Sequence, residues 1–475
     1  MHSRFWPNLD PNFIAALGIR TKLRAMKKVA LFLLLSVVTK AYTQVPKIAP
    51  QDLIQSGPML GYSEMREVML WVQTTESALV QIKYWVKDSN NPILETEVYQ
   101  TQKSEGYTAH LIADEVRPGQ QYEYVVYVNN EAAELEYETT FKSAADWSYK
   151  TDPPNFTVAI GSCTYINDEP FDRKGKPYGR DQSIFTSIHE KNPDLMIWLG
   201  DNTYYREADW GTKTGMIYRN THTRSIRELQ PLLANTHHYA TWDDHDYGPN
   251  DHNRTFENKA MSLAVFQLFW GNLHYGFLDE KCAVSKWTWG DVDFYLLDDR
   301  WFRSANRLSA EEKVYFGKKQ IDWLIENLKA SRANYKIIGN GGQIINPAQV
   351  HENYANYAEE RAYLLKRLEE ENIWGVFFLS GDRHHTILSK MPRSNNYPLY
   401  DLTVSPLTSG SHTPEDEGNV YADEKTLVDE QNFAILDFNG EWGDRKMEIT
   451  VYNEKGKKQW DKTLEVNELR PPWKK

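Results

Sequence analysis

The sequence has few cysteines and no excess of positive charge, and both facts exclude certain classes of protein. Only two of the 475 residues are cysteines, Cys163 and Cys282, too few for the disulfide framework of a small secreted scaffold. Acidic residues outnumber basic ones by 66 to 54, which gives a formal net charge of -12. The composition therefore predicts no general nucleic-acid-binding patch, and an anionic ligand must be attracted locally.

The sequence also lacks an N-terminal apolar run long enough to cross a membrane. The run at residues 29–38 is ten residues long, whereas a membrane-spanning helix needs about 20. It follows a basic start at Met26 and precedes small residues such as Ala41, which is the layout of a cleavable export signal. We expect residues 1–44 to be an upstream extension and a signal peptide starting at Met26. The mature protein is then periplasmic or extracellular and has no membrane span.

Aromatic residues are abundant, at 13% of the chain, and apolar patterning is regular, so the protein is globular. In residues 45–150, short alternating apolar segments such as residues 68–72, 80–84 and 122–127 are separated by turn residues. Strands that recur without helices predict an all-β N-terminal domain, a small sandwich of immunoglobulin or fibronectin type III character. The polar stretch at residues 143–154 is interpreted as the linker that follows it.

Residues 151–475 show a different pattern, in which compact apolar runs typical of buried strands alternate with helical stretches. Helical periodicity covers residues 318–329 and 356–370, and strand-like alternation returns at residues 433–466, where we expect it to complete the sheet. This alternation predicts an α/β catalytic domain. The apolar runs lie at residues 156–160, 195–199, 294–297, 336–338 and 375–379.

Polar clusters directly follow three of these strands, and a fourth lies in a loop. Cys163 ends the first cluster, Asp201 lies in the second, residues 380–385 form the third, and residues 242–246 form the loop. Ligand sites collect at the carboxyl ends of strands in α/β sheets. A single aspartate at such a place is usually a solvated charge, but four clusters together predict a site with the mixed donors that two metal ions require.

In the order and spacing of these motifs, the chain resembles the alkaline phosphatase D (PhoD-like) family of the metallophosphoesterase superfamily, which includes the purple acid phosphatases. The resemblance extends over roughly residues 55–465. It implies a two-sheet α/β sandwich with helices on its outer faces, preceded by the all-β domain. The motifs that carry it are residues 161–163, 200–204, 242–248 with 250–251, 299–300 and 380–385.

The resemblance also implies six metal ligands. The aspartate of the second motif would bridge two ions, while the tyrosine of that motif and the cysteine of the first would hold the first ion. The loop would give the second ion Asp244 rather than Asp243, because Asp244 immediately precedes a histidine. The last motif would give an aspartate to the second ion and a histidine to the first. In chain order the ligands are Cys163, Asp201, Tyr204, Asp244, Asp382 and His384.

The donor chemistry favours a trivalent first ion. A tyrosine side chain, whose pKa is near 10, becomes a phenolate ligand when a strongly Lewis-acidic ion stabilises its anion, so Fe3+ suits Tyr204 better than zinc. Oxygen donors dominate the second site and favour hard cations. The family resemblance implies Ca2+ there, and Mg2+, Mn2+ or Zn2+ are alternatives.

Two pairs of residues have a simpler interpretation that competes with metal binding. Cys163 could form a disulfide with Cys282, which an exported protein permits, although the glycine and serine before Cys163 favour a ligand. His237 and His238 are adjacent in a strand, so their side chains point to opposite faces and rarely share one metal. We interpret both histidines as structural.

Three further residues are candidates for the chemistry itself. His245, directly after a proposed ligand, is placed to protonate the leaving group, with a structural role as the alternative. Arg300 and His385 could bind the substrate phosphate, arginine through its planar fork, or they could orient neighbouring ligands.

These features lead to the hypothesis of an exported, metal-dependent phosphoesterase, an alkaline phosphatase or phosphodiesterase. Two metal ions would bind the oxygens of a phosphate ester and activate the attacking water, and Asp201 would set their separation. The expected substrate is a small-molecule or polymeric phosphate ester. The alternative is a non-catalytic envelope-binding protein with an inactive phosphatase-like domain. The oligomeric state is left open.

Overall fold

The computed structural model describes residues 48–89, 92–414 and 417–472. The expected extension and signal peptide, residues 1–44, lie outside these ranges. Residues Pro50–Lys475 form one compact unit. Over the described ranges, no helix has both the length and the apolar composition needed to cross a bilayer.

Strands dominate the described residues, and seven α-helices lie between them in these ranges. The helices are α1 (Ile184–His189), α2 (Lys213–Arg224), α3 (Gln230–Asn235), α4 (Asp244–Tyr247), α5 (Lys259–Phe269), α6 (Lys318–Ala330) and α7 (Ala358–Glu370). The first nine strands are β1 (Ile54–Ser63), β2 (Val68–Thr74), β3 (Leu79–Val86), β4 (Leu94–Glu95), β5 (Tyr99–Gln100), β6 (Thr108–Ala113), β7 (Gln121–Val128), β8 (Glu131–Ala132) and β9 (Thr140–Lys142). The others are β10 (Phe156–Gly161), β11 (Leu195–Leu199), β12 (His237–Thr241), β13 (Ser285–Trp289), β14 (Val292–Leu296), β15 (Tyr335–Gly339), β16 (Val376–Ser380), β17 (Ile387–Met391), β18 (Leu399–Thr403), β19 (Asn432–Asn439), β20 (Lys446–Asn453) and β21 (Lys458–Glu465).

The strands form three sheets. The first has the order β21-β20-β19-β10-β11-β12-β1-β2-β6, and the second has the order β13-β14-β15-β16-β18-β17. The third is β4-β3-β7-β8, with β5 paired to β3 and β9 to β7. Parallel and antiparallel pairs are mixed: β10, β11 and β12 run parallel, whereas β19 joins β10 antiparallel.

The first two sheets face each other across the main hydrophobic core. Ile197 of β11 and Phe294 of β14 belong to one buried cluster, and so do Leu324 of α6 and Leu364 of α7. A second cluster covers the other face of the first sheet, where α1, α3 and α5 contribute residues such as Phe266. Both faces of β11 are covered, which explains its unbroken apolar sequence. Each fully buried side chain of this kind contributes about 1.5–3 kcal/mol.

The N-terminal strands belong to two sheets at once. Strands β1, β2 and β6 extend the first sheet, because β1 pairs in parallel with β12 at Leu60 and His237. The third sheet packs against these strands through a separate core that contains Leu70 and Leu111 on one side and Ile82 and Val126 on the other. The β-structure of residues 50–142 is therefore continuous with the sheet that carries the candidate site.

The α/β class and several predicted elements are confirmed. The runs at residues 195–199 and 318–329 are β11 and α6, and residues 433–466 provide β19, β20 and β21, which complete the first sheet. The immunoglobulin-like character of residues 45–150 and a domain boundary near residue 150 stay predictions.

Candidate metal centre

Three strand ends and one short helix position the predicted ligands. Cys163 and Asp201 each lie two residues beyond parallel neighbouring strands, β10 and β11, and Asp244 begins α4 three residues beyond β12. Asp382 follows β16 of the facing sheet at the same two-residue distance. The carboxyl ends of parallel strands meet at one edge of a sheet, so the fold gathers these side chains.

The backbone is strained where four predicted ligands lie. Cys163, Asp201, Asp382 and His384 have φ angles of 60°, 52°, 62° and 55°, in the left-handed region that residues with a Cβ seldom adopt. Each such residue costs on the order of 1–2 kcal/mol, and such strain clusters at functional sites. The turns after the strands therefore orient these side chains through a strained backbone. Packing alone does not require this conformational free-energy cost.

A glycine allows the two sheets to approach each other beside the centre. A Cβ on Gly381 would lie 2.7 Å from the carbonyl oxygen of Leu199 and 2.7 Å from the Ser162 side chain. The Gly381 amide donates to the carbonyl of Gly341 at 2.6 Å. Any larger residue would push these segments apart. Gly381 therefore allows the segment after β16 to lie close to the segments after β10 and β11.

The first group of predicted ligands is compact and largely buried. One donor atom from each of Cys163, Asp201 and His384 lies within 4.8 Å of the others. The Cys163 sulfur is 3.7 Å from Oδ2 of Asp201, and the Tyr204 hydroxyl donates to the same oxygen at 3.0 Å. The Tyr204 oxygen is also 3.3 Å from Nε2 of His384. Four of the predicted ligands therefore converge on one point.

A second group shares Asp201 with the first. Asp201, Asp244 and His245 offer donor atoms within 4.8 Å of one another, and a third group joins Asp244 to Asp251 and Glu352. The backbone amide of Asp251 donates to Oδ2 of Asp244 at 2.7 Å. Asp201 is therefore common to the first two groups.

Burial sets the proton affinities of this cluster. It raises the pKa of Asp201 well above its usual range, with additional effects from the charges of Asp244 and Cys163. It also raises the pKa of the Cys163 thiol to about 11 and the pKa of Tyr204 well above its usual range. Burial opposes ionisation of Asp244 too, but the charges of His245 and Arg300 outweigh it and lower its pKa.

These shifts and the donor set fit a multivalent metal ion. Acids this close together repel each other when ionised, and a bound cation reverses that penalty by stabilising every anion at once. Thiolate, phenolate, imidazole and carboxylate are all metal ligands, and three of them are here within bonding reach of a common point. The residues around Asp201 therefore fit a metal centre.

The environment of His384 selects the nitrogen that is free to bind a metal. Its Nδ1 lies 2.6 Å from the carbonyl oxygen of Gly410, which can only accept, so Nδ1 carries the proton and donates. Its Nε2 then faces Tyr204 with a lone pair. Orientation of a ligating histidine by a backbone carbonyl is a usual feature of metal sites. The Tyr178 hydroxyl, 3.0 Å from Nδ1, covers the same side.

His245 lies against the centre rather than in the core. Its ring packs on that of Tyr204 with centroids 4.2 Å apart, and its backbone amide donates to Oδ1 of Asp201 at 3.3 Å. Its Nδ1 is buried without a hydrogen-bond partner among the described residues. Such an unsatisfied polar atom beside a cluster of ligands is available for a substrate or a proton.

The structure brings Asp382, Arg300 and His385 less directly into the site. Asp382 is half-buried and belongs to none of the ligand groups found within the described ranges. Arg300 is buried and ion-paired with Asp243 and, at 2.6 Å, with Glu352. Of the two roles left open for Arg300, this geometry supports orienting neighbours. Burial lowers the pKa of His385 to about 4, and Arg383 adds to the effect.

The structure argues against a disulfide between the two cysteines and agrees with the structural interpretation of the histidine pair. Cys163 and Cys282 are both free and buried, so they form no disulfide with each other. His237 lies near the carbonyls of Gly61 and Lys142, whereas His238 is bonded on the opposite face of β12. The opposite orientation predicted for the two rings is confirmed.

Sequence reasoning missed several residues that shape the centre. Asp246 accepts bonds from the amides of Asn202 and Thr203 at 3.0 and 3.2 Å, which ties α4 to the loop after β11. Glu352 lies in a long loop without periodicity, so no pattern pointed to it. Arg206 lies over the Tyr165 ring at 4.6 Å and follows Tyr204 by only two positions, so proximity to the motif was the one available signal.

Comparisons with known proteins agree with this architecture. The family model described as PhoD-like phosphatase matches residues 173–455, more than half of the chain. The model described as Domain of unknown function (DUF7800) matches residues 51–145. Alkaline phosphatase D of Bacillus subtilis (strain 168) is 22% identical over 384 residues, which cover 68% of this chain and 63% of that relative.

Two solved structures share the fold. A structure of PhoD has a TM-score of 0.71 at 15% identity and covers 88% of this chain and 93% of its own. A purple acid phosphatase from yellow lupin (Lupinus luteus) seeds has a TM-score of 0.61 at 10% identity and covers 86% of this chain and 74% of its own. At these identities the likeness concerns the fold alone.

Proposed function

The chain belongs to the PhoD-like phosphatase family, and on that premise we propose that it is a metal-dependent phosphoesterase that hydrolyses phosphate esters. The observation that carries the proposal is the convergence of Cys163, Asp201 and His384 within 4.8 Å, with the Tyr204 hydroxyl 3.0 Å from Asp201. A thiol, a carboxylate, an imidazole and a phenol that share one point form the mixed donor set that a metal ion can use.

Six residues would hold two ions in this proposal. Cys163, Tyr204 and His384 would hold Fe3+, Asp201 would be shared, and Asp244 and Asp382 would hold Ca2+ or another hard divalent ion. Bound there, the ions supply Lewis acidity that polarises the phosphoryl oxygens and lowers the pKa of water. The proximity of Asp251 and Glu352 to Asp244 supports an oxygen-rich second site.

The proposed role of His245 is proton transfer to the leaving group. As the bond between phosphorus and the ester oxygen breaks, the protonated form of His245, whose pKa burial lowers, would give its proton to that oxygen, and the product would leave as a neutral alcohol. The unpartnered ring nitrogen and the contact with Tyr204 support this placement.

Substrate binding is proposed to involve Arg206. Its guanidinium group lies 5.6 Å from the Tyr204 ring centroid, and its Nε is buried without a hydrogen-bond partner among the described residues. Arginine matches phosphate oxygens with its planar fork. Arg300 donates through Nε to Asp243 and through Nη2 to Glu352, and only its Nη1 has no hydrogen-bond partner among the described residues. We propose that it holds Asp243 in place beside Asp244. For His385 we propose one of two roles, either binding the substrate phosphate or orienting neighbouring ligands.

We also propose the organisation of the whole chain from its sequence signals. Residues 1–44 would include an export signal, so that the enzyme acts in the periplasm or outside the cell. Residues 45–150 would form an immunoglobulin-like sandwich ahead of the catalytic residues 151–475. The separate family model over residues 51–145 supports this division. The substrate would be a small-molecule or polymeric phosphate ester.

The proposal is tested by hydrolysis of p-nitrophenyl phosphate and bis-p-nitrophenyl phosphate at alkaline pH, with iron and calcium supplied. Asp201→Asn is the inactive variant, and Asp461→Asn, on an exposed strand, is the matched control. We expect activity in the wild type and the control but not in Asp201→Asn. Preference for the diester would indicate lipid or polymer diesters as substrates. No activity with both ions bound would contradict the proposal and favour a binding protein.

A further inference from the structure

A further group of side chains with metal-binding donor atoms shares no residue with the candidate centre. His351, His412 and Glu417 each offer a donor atom, and the three atoms lie within 4.8 Å of one another. None of the three is among the six predicted ligands. The two histidine side chains are 59% and 52% exposed, so an ion from solution can reach them, whereas Glu417 is only 10% exposed.

Two distances from Glu417 in this group are close to those between the ligands of a tetrahedral ion. Nε2 of His412 is 3.3 Å and Nε2 of His351 is 3.8 Å from Oε1 of Glu417. Zinc binds nitrogen at about 2.0–2.1 Å and carboxylate oxygen at about 2.0–2.2 Å, so two tetrahedral ligands lie about 3.4 Å apart. The two histidine nitrogens lie within 4.8 Å of each other, and both side chains are exposed enough to adjust towards this geometry.

The carboxylate of the group is already held in position. Arg383, which is 3% exposed, forms an ion pair with Oε1 of Glu417 through Nη2 at 2.6 Å. Partners that orient a ligand in this way are typical of metal sites. The positive charge of Arg383 also opposes a cation, so binding should be weaker than at a structural zinc site of four thiolates.

We propose that His351, His412 and Glu417 bind one zinc ion at a site separate from the candidate metal centre. Two imidazoles and a carboxylate suit a borderline cation such as zinc, whereas Ca2+ and Mg2+ prefer oxygen ligands. The three side chains leave a fourth position for water. The site takes a free divalent ion as its ligand, whatever the enzyme hydrolyses.

The ion would join two segments that also reach the candidate centre. His412 donates its backbone amide to the carbonyl of His384 at 2.8 Å. His351 immediately precedes Glu352, the partner of Arg300. Zinc would therefore fasten the loop around residue 351 to the segment around residue 412. We expect bound zinc to raise the Tm by stabilising this contact.

The test is a zinc count on the full chain by equilibrium dialysis and elemental analysis. The His351→Ala/His412→Ala double variant is compared with His222→Ala/His274→Ala, which removes two histidines elsewhere. We expect wild type and control to retain one equivalent of zinc more than the double variant. Asp201→Asn, which impairs the candidate centre, should keep this equivalent. Its persistence separates this site from the proposed catalytic ions.

Two results would overturn the proposal. Equal zinc content in the wild type and the His351→Ala/His412→Ala variant would mean that the three side chains form only an ion-paired surface cluster. Displacement of the extra zinc by an equal concentration of Ca2+ would mean that oxygen ligands elsewhere hold it. A His412→Gln variant, with a similar side-chain volume, should weaken zinc binding by at least about tenfold and guards against misfolding of the double variant.

Discussion

Arg300 and Glu352 form an ion pair at 2.6 Å although they are 52 positions apart in the chain. Both side chains are nearly inaccessible, at 1% and 8% exposure. Glu352 also pairs with Arg303, which is as buried as Arg300, so one carboxylate contacts two guanidinium groups, and Arg300 pairs with Asp243 as well. The contact joins the loop after β14 to the loop that follows β15 and supports Asp243 beside the candidate centre.

We predict that Glu352→Gln destabilises the protein strongly. The amide keeps the shape of the side chain but leaves Arg303 without its ion-pair partner and Arg300 with Asp243 as its main counter-charge. Breaking a buried ion pair on one side costs about 3–5 kcal/mol. Urea unfolding of the purified variant measures the loss.

The matched control for this prediction is Glu136→Gln. Glu136 pairs with Arg227 at 2.9 Å, but both side chains are more than 80% exposed, at 83% and 84%. Exposed pairs contribute about 0–1 kcal/mol, so this variant should unfold almost as the wild type does. A similar loss in both variants would contradict the special role of Glu352.

The assignment of ligands to two ions predicts that the ions can be lost separately. Tyr204→Phe removes the phenolate oxygen and should reduce bound iron while leaving the divalent ion. Asp244→Asn should have the opposite effect, and Asp201→Asn should reduce both. Activity should fall by more than about 100-fold in each, because even residues that only orient a ligand are worth about 10- to 100-fold. Elemental analysis of each purified variant gives both metal contents, and equal loss of both ions in all three would refute the assignment.

The proposed proton transfer by His245 predicts a dependence on the leaving group. General acid catalysis contributes about 100- to 10,000-fold, but only when the departing oxygen needs a proton. His245→Gln should therefore slow hydrolysis of an alkyl phosphate by that factor and hydrolysis of p-nitrophenyl phosphate much less. The ratio of kcat values for the two esters is the measurement. An equal loss for both would assign His245 a structural role.

Local patterns were sufficient to predict the parts of the site that follow strands. The apolar run of β11 and the polar residues after it are adjacent in sequence, so Asp201 and Tyr204 could be placed at a strand end. The resemblance to a family then selected Asp244 from the loop after β12. The gathering of these polar side chains at the strand ends was therefore predictable from the sequence.

Contacts between distant segments could not be predicted in this way. The pairing of β1 with β12 joins Leu60 and His237, which are 177 positions apart. The periodicity of apolar residues within either segment does not predict this pairing. Glu352 illustrates the same limit, because an acidic residue in an irregular loop is usually solvated. Its burial depends on Arg300 arriving from another loop, which only the folded chain shows.

His238 provides a prediction about stability and pH. Trp198 donates to Nδ1 of His238 at 2.9 Å, so that nitrogen must remain unprotonated, while Nε2 lies 3.2 Å from the carbonyl of Leu232 and donates to it. Burial lowers the pKa of His238 to about 3. In the unfolded chain, histidines have a pKa of about 6.5. Below that pH, His238 is protonated in the unfolded chain but stays neutral in the folded chain. Stability is therefore unaffected by this group above about pH 6.5 and falls as the pH decreases from there towards 3.

The expected slope from His238 is at most about 1.4 kcal/mol per pH unit within that range. His238→Asn keeps an acceptor for Trp198 without a group that titrates, so its free energy of unfolding should vary less with pH, even though lost packing lowers it at neutral pH. His222→Asn, which makes the same substitution at a half-buried site elsewhere, is the matched control. Urea unfolding between pH 7 and 4.5 measures all three proteins. If His238→Asn and the wild type have the same slope, acid sensitivity arises elsewhere, and His238 is not held neutral by its two bonds.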